Sequence, residues 1–234
     1  MDSPQSSRHR WGVGAYVFVE AVYLLSSLGL ALLIGSRAAA SLPMVVIGVL
    51  LPTLLAAWLA IVITTLRGNG PRADLKLEFS WRGAGLGVLF GLGGLLLSIP
   101  AALLWLSIVG EDATSAAGEV FGNLRGTWFW AVAVFVVVAV IAPICEEIVY
   151  RGLLWGAVDQ RWGRWAALSV TTVVFAIAHL EWTRAPLLLV VALPIGLARL
   201  YSGNLTASIL AHQVTNLLPG VVLMLGVAGA MPAT

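Results

Sequence analysis

The sequence predicts an all-α fold, a polytopic integral membrane helical bundle of about seven to eight transmembrane helices. Hydrophobic residues fill 60% of the 234 positions and charged residues only 10%, whereas about a quarter of a soluble domain is charged. The mean hydropathy is +0.97. Apolar runs recur along the whole chain, most of them near the ~20 residues a helix needs to cross a bilayer. The organisation that follows is a basic tail over residues 1–10 and a single transmembrane domain over 11–234, with no room left for a separate soluble domain.

The first apolar run, Trp11 to Ile34, follows Arg8, His9 and Arg10. A signal peptide has an apolar core of about 7–15 residues, so this run is read as a retained span even though Ala38 to Ala40 could supply a cleavage site. The second span covers Leu42 to Leu66, and the third Gly83 to Val109. Gly83, Gly87 and Gly91 recur in the third at intervals of four, a spacing that lets helix backbones approach closely. We assign it to packing within the bundle rather than to homodimerisation. The fourth span runs from Thr127 through IAPICEEIVYRG to Val158, the fifth from Trp165 to Leu180, the sixth from Pro186 to Tyr201 and the seventh from Leu205 to Met231. A break at Pro219 would add an eighth, short segment. The sixth is marginal, because about 15 residues at ~1.5 Å each fall short of a ~30 Å core. The segment Leu75 to Trp81 reads either as an amphipathic piece on the membrane surface or as a plain connection.

Twelve Arg and one Lys stand against eleven acids, a net charge of +2. That is too slight for a nucleic-acid surface, but it can orient helices. Basic residues gather in the tail, at Arg67, Arg72, Lys76 and Arg82, and at Arg161 and Arg164, while Glu111 to Arg125 is mostly acidic. The positive-inside rule then places the N-terminus in the cytoplasm and, with seven spans, the C-terminus outside. The preference for Arg over Lys among abundant Ala, Gly and Trp points to a GC-rich bacterial genome, hence a bacterial plasma membrane. One cysteine, Cys145, excludes an internal disulfide, and in apolar surroundings its thiol reads as inert.

Ionisable groups in a membrane cost about 2.5–3.5 kcal/mol each on insertion scales, so each needs a partner or a task. The second half of the chain holds many: Glu146, Glu147 and Arg151 in the fourth span, His179 at the end of the fifth, and His212 with Asn216 in the seventh. Four-residue spacing puts Glu147 and Arg151 on one helical face as an ion pair, while Glu146 points about 100° away and stays available. Pro143 removes a backbone donor just upstream, which favours a local irregularity. Counted at ~1.5 Å per residue from presumed inner ends near Asp159, Trp165 and Gly203, Glu146, His179 and His212 lie about 20, 21 and 14 Å deep. Three distant segments thus converge on one polar chamber. A carboxylate beside imidazole can take a proton from water and return it to a leaving amine, and an Asn amide or a protonated His can hold the oxyanion. One Glu and two His would equally complete a zinc site with an open water position. The residue types suit amide hydrolysis with or without a metal.

The patterns Glu146-Glu147-x-x-x-Arg151, Phe175-x-x-x-His179 and His212-x-x-x-Asn216, in that order and all in membrane helices, resemble the CPBP family of intramembrane proteases, which includes the type II CAAX prenyl proteases and the bacterial Abi and bacteriocin-immunity proteins. The resemblance covers a protease-like core of about 127–218. It implies that Glu146 activates the attacking water with help from His179, that His212 and Asn216 hold the oxyanion, and that Glu147 and Arg151 brace the site by pairing. The expected substrate is a membrane-associated peptide or protein. No cofactor is favoured, since paired ligands of the HExxH type are absent. If zinc is bound, its ligands would be Glu146, His179 and His212. Two other functions use the same residues, a proton-coupled transporter and a non-catalytic immunity or binding scaffold. The chain lacks the repeated halves typical of many transporters, and its intact motifs argue against a silent scaffold.

Overall fold

The computed structural model describes residues 10–35, 41–110 and 115–231. Arg8 and His9 of the basic tail, Ala38 to Ala40, and Glu111 with Asp112 lie outside the described residues. Among the described residues the secondary structure is helical throughout. In chain order the helices are α1 (Val13–Gly35), α2 (Leu42–Arg67), the short α3 (Pro71–Asp74), α4 (Trp81–Val109), the short α5 (Ala116–Phe121), α6 (Trp128–Trp162), α7 (Arg164–Ala178), α8 (Ala185–Ser202) and α9 (Leu205–Val227).

Six of them, α1, α2, α4, α6, α8 and α9, are long and apolar enough to cross a membrane. Two expectations are corrected here. The fifth expected span, α7, has only 15 residues, because Leu180 adopts a left-handed conformation with φ of 57° and its N–H turns back to the Ile177 carbonyl at 3.0 Å. The chain also does not break at Pro219, and α9 runs through it to Val227. The expected sixth span does reach membrane length as α8, with 18 residues.

The glycines of α4 serve internal packing. A Cβ on Gly87 would sit 2.6 Å from the Ala207 carbonyl oxygen and 2.9 Å from Leu210 Cβ, and one on Gly91 2.7 Å from Val214 Cβ. Backbones at this separation need hydrogen in place of a side chain. The register is fixed where α4 and α9 begin. Ser80 Oγ accepts from Gly83 N–H at 3.0 Å, Asn204 Oδ1 accepts from Ala207 N–H at 3.0 Å, and Asn204 Nδ2 donates to Ser80 Oγ at 3.1 Å. Two N-caps therefore satisfy the orphan donors of their own helices and clasp each other.

The same end of the bundle carries the basic residues. Arg10 N–H donates to the Arg67 carbonyl at 2.8 Å, tying the start of α1 to the end of α2. A cleft lined by Gly12, Val13, Gln160, Arg161 and Trp162 joins the start of α1 to the end of α6. The segment after α3 is a pinned connection: Leu75 is fully buried, Leu205 N–H donates to the Lys76 carbonyl at 2.8 Å, and Thr206 Oγ1 donates to the Glu78 carbonyl at 2.7 Å. Opposite lies a second layer of ties, where Trp105 Nε1 donates to the Thr183 carbonyl at 2.8 Å and Ala116 N–H donates to Glu181 at 2.8 Å.

Irregularity is concentrated in α6. Its α-helical parts, Trp128–Val136, Ala142–Glu147 and Trp155–Trp162, are separated by π-helical turns at Val137–Ile141 and Ile148–Leu154. Pro143 withholds one donor from this region, and wide turns leave carbonyls without close partners. Side chains of α9 supply some of what is missing: Asn216 Nδ2 donates to the Val138 carbonyl at 3.1 Å and Gln213 Nε2 to the Val140 carbonyl at 3.3 Å. Non-helical backbone at membrane depth is tolerated where protein satisfies it in this way.

The glycine seam gives a direct test of this packing. Gly87→Val is expected to destabilise the bundle by about 1–3 kcal/mol, the usual penalty for overpacking. Gly93→Ala, where an added Cβ meets nothing within 4 Å, should be neutral or slightly stabilising. Thermal unfolding of both variants in detergent measures the contrast.

Candidate active site

The polar centre is built on the turn of α6 that carries Glu146, Glu147 and Arg151. Glu147 and Arg151 are wholly buried, with Arg151 Nη1 3.0 Å from Glu147 Oε1. The guanidinium also donates to the Ala192 carbonyl of α8 at 3.3 Å and stands 4.4 Å from the Phe175 ring centre. The same Glu147 oxygen accepts from His212 Nδ1 of α9 at 3.0 Å. With its Nδ1–H spent on this carboxylate, His212 turns Nε2 toward Glu146, 3.9 Å from Oε2.

Glu146 differs from its neighbour as their angular separation on a helix requires. Its side chain keeps 28% of its surface exposed, and it meets His179 as well as His212, with His179 Nε2 4.0 Å from Oε2. His179 Nδ1 lies 2.7 Å from the Phe175 carbonyl. A carbonyl only accepts, so Nδ1 carries the proton, and in the neutral ring Nε2 presents a lone pair to Glu146. Phe175 organises this side of the site. Its ring stacks at a tilt 4.4 Å from the His179 ring and meets His212 and Tyr150 edge-on at 5.6 and 5.3 Å.

The structure thus brings together Glu146, Glu147, Arg151, His179 and His212 from three helices. Asn216 lies one turn beyond His212 on α9, and its amide donates one hydrogen to the π-helical carbonyl of Val138, leaving a second N–H. Cys145 is a buried free thiol. Sequence reasoning missed one member of the surroundings. Arg199 of α8 is buried, donates through Nε to the Arg151 carbonyl at 3.1 Å and lies 5.3 Å from the Trp155 ring centre. Its signal was an Arg inside the apolar run IGLARLY. Glu20 of α1, visible in the sequence as an isolated carboxylate in the first span with no role that residue order selects, accepts from the Tyr150 hydroxyl at 3.2 Å.

Glu146, His179 and His212 are the donors a zinc ion would use. Ligands of a tetrahedral zinc stand about 3.4 Å from one another. Here the separations from Glu146 are 4.0 and 3.9 Å, and among the described residues no group of three His, Cys, Asp or Glu side chains is arranged to hold a metal ion. As placed, Glu146 stands about 0.5 Å farther from each imidazole than zinc ligands stand from one another.

Residues 128–218 match the family model described as type II CAAX prenyl endopeptidase Rce1-like. No curated protein and no solved structure matches the chain. The matched stretch begins with α6 and ends on α9 two residues past Asn216, so it contains every side chain of the polar centre described above except Glu20.

Removing one partner of a fully buried pair strands the other charge. Arg151→Met is therefore expected to lower stability by about 3–5 kcal/mol, and adding Glu147→Gln to it should recover part of the loss. Denaturant titration of the single and double variants in mixed micelles reads both effects.

Proposed function

We propose that this integral membrane protein, whose residues 128–218 match the type II CAAX prenyl endopeptidase Rce1-like family model, hydrolyses peptide bonds of membrane-associated peptide or protein substrates, with Glu146 as the base that activates water. The observation that carries the reading is the spacing around Glu146. At 3.9 and 4.0 Å from the two imidazole nitrogens, its carboxylate is too far for direct hydrogen bonds and well spaced for one bridging water.

In this mechanism the water donates one hydrogen to Glu146 Oε2 and the other to the lone pair of His179 Nε2, which aims an oxygen lone pair at the scissile carbonyl. Glu146 takes the proton as the C–O bond forms. His212, held through Nδ1–H on Glu147, donates to the oxyanion when Nε2 also carries a proton, and Asn216 offers its second amide hydrogen. Collapse of the tetrahedral intermediate breaks the C–N bond, and the proton held by Glu146 passes to the leaving amine. The products are a carboxylate and an amine, with no metal in any step. Arg151 acts through Glu147 and does not touch the substrate. The site operates within one transmembrane domain over 11–234, in a bacterial plasma membrane, with the basic end and the N-terminus in the cytoplasm.

Glu146→Gln should lower cleavage by about 10²–10⁴-fold, the usual worth of a general acid/base. New peptide termini in host membranes, compared by mass spectrometry between wild type and Glu146→Gln at equal abundance, measure the loss and identify the substrate. Termini that persist in the variant would remove Glu146 as the base. Cleavage by protein treated with a chelator is expected to equal that of untreated protein. A loss that added zinc restores would overturn the metal-free mechanism.

A further inference from the structure

Glu20 has no task in the mechanism above, yet it is a carboxylate placed in the middle of an apolar membrane helix, where an ionisable group is costly unless partnered or used. No cation pairs with it in the ion pairs of the described residues. Its contact is the Tyr150 hydroxyl, which donates to Oε1 at 3.2 Å. Tyr16, one turn earlier on α1, interacts with the same carboxylate and sets its ring 6.0 Å from that of Tyr150. Glu20 also lies within electrostatic reach of Glu146 and His179.

Tyr150 leads on to the site. It is buried and lies four residues after Glu146. Its ring meets Phe175 edge-on at 5.3 Å, and Phe175 holds His179 twice, by ring stacking at 4.4 Å and by the carbonyl that accepts Nδ1–H at 2.7 Å. A continuous chain of contacts thus joins Glu20 to the imidazole that faces Glu146. The edge-on ring contact transmits the position of Tyr150 to Phe175, and a hydroxyl anchored on a carboxylate pins the far edge of the Tyr150 ring.

We propose that Glu20 is a positioning residue of the active site, which acts through Tyr150 and Phe175 to hold His179 Nε2 toward Glu146. The inference rests on the proteolytic reading above. It also makes α1, which lies outside the matched 128–218 stretch, a working part of the site.

Two measurements test it in the full-length protein. The first needs no substrate. With ¹⁵N-labelled histidine, the chain gives signals from three histidines, and His179→Gln assigns the one of interest. Glu20→Ala and Tyr150→Phe should shift the His179 ring-nitrogen resonances in the same sense. Glu20→Gln, which keeps a carbonyl acceptor for the tyrosine, should leave them near wild type, and His9 should not respond. Tyr150→Phe retains the ring packing and so reports on the hydroxyl alone. The second measurement is steady-state kinetics on a peptide whose cleavage depends on the protein. Glu20→Ala and Tyr150→Phe should each lower kcat about tenfold with KM unchanged, as misplacement of a catalytic group does. The double variant should fall no further, and Glu20→Gln should restore most of the rate. His179 resonances unmoved by both variants, or independent additive losses in the double variant, would overturn the proposal. Cleavage that survives Glu146→Gln would instead remove the proteolytic base, while the resonance measurement still decides whether Glu20 positions His179.

Discussion

A carboxylate with no exposed surface, in a chain this apolar, has to be neutralised where it stands. Glu147 is neutralised by two donors on one oxygen, Arg151 Nη1 and His212 Nδ1, each at 3.0 Å. Arg151 in turn donates through Nη2 to the Ala192 carbonyl and lies over the Phe175 ring, while its buried Nε is left without an acceptor among the described residues. One buried charge therefore ties α6 to α7, α8 and α9 together. Such an ion pair adds little net stability over a well-packed apolar substitute, but it penalises every arrangement in which a partner is missing. Its effect here is geometric. With Glu147 locked inward, Glu146 is turned toward the opening between the two imidazoles, and His212 has only Nε2 left to present there.

That arrangement depends on α9 lying close to α6, and the approach is set from the far side. The glycines of α4 let it press against Ala207, Leu210 and Val214, and the Ser80–Asn204 clasp fixes the register. On its other face α9 offers Gln213 and Asn216 to carbonyls of the first π-helical turn of α6. His212 thus belongs to a helix held on two sides, one by backbone proximity and one by side-chain amides. Asn216 has a double character in the proposed mechanism, since one amide hydrogen repairs the membrane backbone while the other is assigned to the oxyanion.

The spans and the convergence of three motif segments were legible in the sequence because both depend on quantities that residue order carries: apolar length, four-residue spacing and depth at a fixed rise per residue. Glu147 and Arg151 pair as their spacing requires, and Gly87 and Gly91 mark a helix contact. Other features depend on information that order does not carry. The shortness of α7 follows from the backbone conformation of Leu180, a residue with no intrinsic preference for a left-handed turn. The π-helical turns of α6 shift the register by single residues inside an apolar run whose composition is the same either way. Pro143 announced an irregularity without giving its form. The bond between Glu20 and Tyr150 spans 130 positions and joins two helices whose pairing no local pattern specifies. Arg199 could be seen as an intramembrane Arg, but its acceptor, a backbone carbonyl on another helix, has no sequence signal.

The shortness of α7 also bears on the bilayer itself. Fifteen residues rise about 22 Å, against a hydrocarbon thickness of about 30 Å. The turn that follows carries Glu181 and Arg184, paired with each other, and an ion pair at a bend of irregular backbone is poorly tolerated among acyl chains. A helix this short would be accommodated by burial among its longer neighbours or by local thinning of the lipid. His179 closes α7 at that same level, so any such thinning would bring the headgroup boundary nearer to the imidazole that faces Glu146. The proposed hydrolysis consumes one water in each turnover, and a thinner layer over His179 would shorten the dry path that water has to cross.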